Sequence, residues 1–113
     1  HTGDELEAWV RAVCEKHAQA FTLNARCSGE AFLTPPGALS GLVSRAIESV
    51  LGITPELSTT GGTSDARFIR RLCPVVEFGL LNATMHKVDE RVPAQQVRQL
   101  QVIYQRILER FFA

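Results

Sequence analysis

What this chain has little of narrows it before any motif is read. Lysine plus arginine and aspartate plus glutamate number 12 each, so the formal net charge is zero, and no basic run stands anywhere along the sequence. Phosphate backbones and anionic lipid surfaces are recognised through concentrated positive patches, so neither nucleic acid nor a membrane surface is an expected partner. Cysteine is scarce: Cys14, Cys27 and Cys73 are widely spaced, odd in number and without a C-x-x-C pair. That spacing argues against a disulfide framework and against a zinc ribbon, and a reducing, cytoplasmic setting suits such thiols. No apolar run approaches the about 20 residues a membrane-spanning helix needs. The opening residues lack the basic flank and apolar segment of a secretory leader. Internal repeats and low-complexity tracts are missing too.

What is present suits one small domain, 113 residues being enough for a modest core. Asp4 with Glu7 has the form of a capping box, and Leu6, Trp9, Val10, Val13, Cys14 and His17 recur at helical spacing, which predicts a helix over 5–20. Cys14 and His17, one turn apart, could pair as thiol and base or hold a metal. Both lie on the apolar stripe with no third ligand near, so packing is the stronger reading.

From Phe21 the period changes to two, with Phe21, Leu23, Ala25 and Cys27 facing one way, which predicts a half-buried strand over 21–28. Gly29 interrupts it, and the run Thr34, Pro35, Pro36, Gly37 is a strong break. Leu39, Leu42, Val43, Ala46, Ile47, Val50 and Leu51 then form a helical stripe closed by Gly52. A strand is predicted over 56–60, a brief helix carrying Phe68, Ile69 and Leu72, and a buried strand over 75–79. A last helix starts at Pro93, with Val97, Leu100, Ile103, Tyr104, Ile107, Leu108 and Phe111 on its inner face.

These elements predict an α/β fold: a small mixed or parallel sheet flanked by helices and preceded by a helix-strand unit. The strand-helix-strand run over 56–79 would be a right-handed parallel unit. Loops after the carboxyl ends of parallel strands open on one edge, so Gly62 and Thr63 should converge with Asn82 and His86. A glycine turn followed by a helix start capped by Thr63 or Ser64 presents backbone N–H groups suited to a carboxylate, although such turns are more often ordinary connections. His86 is the histidine outside the first helix region, in a loop where side chains can reach a ligand. Imidazole is a common metal ligand, and Asp89 and Glu90 beside it could orient it or begin a helix. Taken alone, a loop histidine is usually just solvated.

Residues 61–68 read G-G-T-S-D-A-R-F and residues 82–87 read N-A-T-M-H-K. In that order the two runs resemble the carboxy-terminal motifs of the succinyl-diaminopimelate desuccinylase family, dinuclear zinc amidohydrolases related to aminoacylase and glutamate carboxypeptidase. One departure is Ala66, where many members have glycine, which puts the local backbone conformation in question. The resemblance implies an enzyme that cleaves the amide of N-succinyl-L,L-diaminopimelate, on the route to lysine and cell-wall precursors. It implies two zinc ions per full-length subunit, or cobalt in one of the sites, and a cytoplasmic homodimer. Carried over by motif, His86 is a metal ligand, and Gly62, Thr63 and Asn82 contact the substrate. Arg67 would grip a carboxylate with its fork of donors, a surface cation being the plain alternative.

No residue of the chain takes a catalytic role by this mapping. The family's H-x-D metal motif, its Glu-Glu pair with the general base and its remaining carboxylate ligand have no counterpart here. The expectation is therefore a carboxy-terminal fragment, inactive and without a stably held metal by itself. Its residues 1–29 would end the lid or dimerisation domain and 30–113 would belong to the zinc-binding domain. That it begins at His1 rather than Met agrees with this expectation. The competing readings are a sibling N-acyl-amino-acid deacylase and a non-catalytic α/β interaction module, with a thiol enzyme built on Cys14 and His17 last.

Overall fold

The computed structural model describes residues 1–62, 64–81 and 83–113. Helix α1 spans Gly3–His17, α2 Ala38–Leu51, α3 Ala66–Ile69 and α4 Ala94–Phe111. The first begins two residues earlier than its pattern suggests because the capping pair is Thr2 and Glu5. The Glu5 N–H donates to the Thr2 hydroxyl at 3.2 Å, and the Thr2 N–H donates to the Glu5 carboxylate at 2.8 Å. This reciprocal arrangement satisfies two amide donors that the first turn would otherwise leave open. At the start of α2 the Gly37 N–H donates to the Ser40 hydroxyl at 2.8 Å, so a residue of the helix's polar face has a capping role. Gly52 closes α2 at φ 68, the left-handed conformation glycine adopts without a Cβ clash.

The core lies where α2 meets α4, the helix pair that packs together among the described residues. Val43, Ala46 and Ile47 of α2 and Ile103 of α4 are buried, with Val50, Leu51 and Ile107 packed around them. Ala46 is 0% exposed, and its small side chain lets the two helices approach. Ile103 is 1% exposed, a burial of about 1.5–3 kcal/mol for such a side chain. Val76 and Phe78 from the segment before the final loop lie against this pair, while Glu77 between them is exposed.

The α/β sheet expected from the sequence does not form. Among the described residues there is no strand: 21–28, 56–60 and 75–79 all run without a ladder, and the backbone hydrogen bonds outside the helices belong to turns and caps. The physical reason is that alternation sets only which side chains share a face. Val76 and Phe78 do share one, but a strand exists only when a second strand offers its N–H and C=O groups, and none lies alongside. The strand-helix-strand unit over 56–79, and the argument that placed two loops on one sheet edge, are overturned with it.

Two apolar faces read as buried also stay open. No residue of α1 is buried, and Trp9 is 65% exposed. On α4 only Ile103 is fully buried, and Val97, Tyr104, Leu108 and Phe111 are exposed. The radius of gyration, 19.4 Å, exceeds the about 13 Å expected of a compact domain of this length. The first segment is tied to the remainder through small contacts. The Gly3 N–H donates to the Glu30 carboxylate at 2.9 Å, and a Cβ at Gly3 would stand 2.9 Å from the Cys27 side chain, which only glycine avoids.

Candidate functional site

His86 sits in a loop whose shape is set by Thr84. The Thr84 hydroxyl donates to the Arg91 carbonyl at 2.7 Å and accepts from the Arg91 N–H at 3.0 Å, so one side chain satisfies both backbone groups of a residue seven positions on. Inside this clasp the Lys87 N–H donates to the Thr84 carbonyl at 3.1 Å, closing a turn over 84–87. The Lys87 ammonium donates to the Ala83 carbonyl at 2.8 Å, and the Arg91 guanidinium donates to the Asp89 carbonyl at 3.3 Å. His86 is the third residue of the turn, at φ 60, and Asp89 has φ 58. Turns with positive φ at that position favour glycine or asparagine. A histidine held there costs about 1–2 kcal/mol against a right-handed backbone and is a reason to look for a role in its side chain.

The His86 imidazole is exposed and makes no hydrogen bond or ion pair with the other described residues. Asp89 and Glu90 do not orient it through such a bond, and both precede the first turn of α4, which carries no acid. Thr84 and Arg91 were not distinguished by sequence reasoning. The available signal was the readiness of threonine to bond nearby backbone, but its partner at 91 is settled only by the path of the loop.

The other motif surrounds α3. The Ser64 hydroxyl accepts from the Ala66 N–H at 3.1 Å, and Ala66 opens the helix with an ordinary right-handed backbone, so alanine fits where the resembled pattern has glycine. The helix is four residues long and offers little dipole to an anion. Gly62 is exposed, with no atom of the other described residues within 4 Å of where a Cβ would stand. Thr63 and Asn82 lie outside the described residues.

Arg67 points toward the amino-terminal segment. Its guanidinium donates to the Ser28 hydroxyl at 3.2 Å and lies 4.6 Å from the centre of the Phe68 ring, while its Nε is buried without an acceptor among the described residues. No hydrogen bond or ion pair joins Gly62, Arg67 and His86 among the described residues. Two open surface hollows, of about 380 and 470 Å³, lie at 33–35 with 70–75 and at 1–5 with 30–33, and neither contains these residues. Cys14 is half-buried and His17 exposed, with no bond between them, and all three thiols are free.

The model of peptidase family M20/M25/M40 matches residues 7–110. The chain belongs to this family. Across its whole length it is 54% identical to a succinyl-diaminopimelate desuccinylase of Caulobacter vibrioides, 58% to that of Rhodospirillum centenum and 56% to that of Rhizorhabdus wittichii. It spans 30%, 29% and 30% of those relatives' lengths, respectively. The M20/M25/M40 family is generally metal-dependent, and the donors present here can be tested against that. The described residues bring no three histidine, cysteine or carboxylate side chains together. An exposed imidazole with no competing bond fits a contribution of one ligand, and the three protein ligands usual for a catalytic zinc would need others from outside these residues. No described helix is long and apolar enough to cross a membrane.

Proposed function

We propose that the chain is the carboxy-terminal part of a zinc-dependent desuccinylase that hydrolyses N-succinyl-L,L-diaminopimelate to succinate and L,L-diaminopimelate in the cytoplasm. The observation that carries this reading is identity of 54–58% over the whole chain to three enzymes of that name. In this reading residues 1–29 end a lid or dimerisation domain, 30–113 belong to the zinc-binding domain, and the enzyme is a homodimer.

Bound zinc, or cobalt in one site, supplies Lewis acidity toward an amide carbonyl and toward water. His86 contributes a single ring nitrogen to one of the two ions. Gly62, Thr63 and Asn82 contact the substrate or the cleaved product in this reading. Arg67 offers its planar fork to a substrate carboxylate, and a carboxylate at that edge would compete with the Ser28 hydroxyl for the same donor. The general base and the remaining metal ligands are supplied by residues outside this chain.

The test compares succinyl-diaminopimelate cleavage by the full-length protein and by the 113-residue chain at equal concentration with added zinc. Turnover by the full-length protein and none by the chain is expected. Failure of the full-length protein to release succinate, or turnover by the chain at the same rate, overturns the reading.

A further inference from the structure

We propose that Thr84 is a positioning residue, whose hydroxyl holds the 83–91 loop in the conformation that presents His86. The inference rests on the reading of His86 as a metal donor and adds a residue that acts through it. Three observations carry it. The Thr84 hydroxyl is engaged as donor and acceptor by the two backbone groups of Arg91, so its rotation is settled and the loop ends are joined at one atom. The Thr84 carbonyl accepts from Lys87, so the same residue also closes the turn in which His86 stands. His86 and Asp89 both hold positive φ inside the clasp, a backbone state that lasts only where surrounding bonds over-determine it.

An exposed loop released from this clasp would satisfy its polar groups with water and return His86 to the right-handed region, turning the imidazole away from its presented direction. Serine keeps the hydroxyl and can rebuild both bonds. Valine keeps the shape of threonine and can rebuild neither.

The experiment uses the full-length protein as Thr84→Val, Thr84→Ser and His86→Ala variants. Zinc stoichiometry and affinity are read by competition with a chelator, alongside kcat, KM, the unfolding midpoint and hydrogen exchange of the 83–91 segment. For Thr84→Val the affinity of one zinc site is expected to fall about 10-fold or more, within the range for losing a residue that orients a ligand. The other site, KM and the unfolding midpoint should stay near wild type, kcat should fall, and the Lys87 and Arg91 amides should exchange faster. Thr84→Ser is expected to restore affinity to within about 3-fold, because it retains the clasp. Wild-type affinity at both sites in Thr84→Val, with one zinc lost in His86→Ala, overturns the positioning role alone. If His86→Ala holds both zinc ions as the wild type does, the metal reading of His86 falls and the proposal falls with it. Should the valine variant not fold, Thr84→Ala is judged by the same affinity and exchange outcomes.

Discussion

The Tyr104 hydroxyl donates to the Phe78 carbonyl at 2.5 Å, and the two rings meet edge to face with centroids 6.1 Å apart. This pair fastens the 75–79 segment to α4 where no strand ladder is available. One bond satisfies a carbonyl that a neighbouring strand would ordinarily have taken. Tyr104→Phe keeps the ring contact and removes the donor. It is expected to destabilise the protein by about 1 kcal/mol, read as a lower denaturant midpoint with unchanged slope.

Among the described residues Ile103 is the largest side chain withdrawn fully from solvent, and the other buried members of its cluster, Val43, Ala46 and Ile47, come from α2. Ile103→Ala removes the one fully buried side chain that α4 gives this cluster and leaves a cavity, and a loss of about 2–5 kcal/mol is expected. Ala46→Leu should also destabilise, by about 1–3 kcal/mol, because it pushes α2 from α4. A variant at either position with the wild-type unfolding midpoint would contradict the placement of the core.

Leu6, Trp9, Val10 and Val13 form an exposed apolar stripe along α1. A contiguous stripe of this kind marks a surface that another surface covers, unlike a scattered exposed leucine. With the proposed homodimer, Trp9→Glu in the full-length protein should shift its mass in light scattering toward the monomer. An unchanged mass would remove α1 from the subunit contact.

Glu109 provides a pH-dependent contribution in the last turns of α4. The Gln105 amide at 2.8 Å, followed by the Arg106 guanidinium at 2.9 Å, holds its carboxyl below the ordinary value of 4.5. Because the folded value is the lower one, the stabilisation is present above the unfolded value and is lost as pH falls through the folded one. The side chain is exposed, so the effect is small and sensitive to salt. Circular dichroism should show α4 helicity decreasing below about pH 4.5 in the wild type. The Glu109→Gln protein should lack that component, and identical acid profiles would rule it out.

The sequence by itself determined the helices and the motifs, because both depend on near neighbours. The stripe from Leu39 to Leu51 ends at Gly52, and Pro93 stands immediately before α4, since caps and 3.6-residue periodicity act over a few positions. The cap of α1 was displaced to Thr2 and Glu5 because a capping box at Asp4 and Glu7 has the same local form. The runs at 61–68 and 82–87 likewise carried the family resemblance without any geometry. Only the tertiary structure decided pairing and burial. It packed Val76 and Phe78 on a helix pair instead of in a sheet, left Trp9 in solvent, and turned Arg67 toward Ser28. It also joined Thr84 to Arg91 around His86. The packing of Val76 and Phe78 and the turn of Arg67 depend on partners distant in the chain, the open face of α1 on one not among the described residues, and the Thr84 clasp on the path of its loop; local sequence pattern carries no information about where such a partner lies.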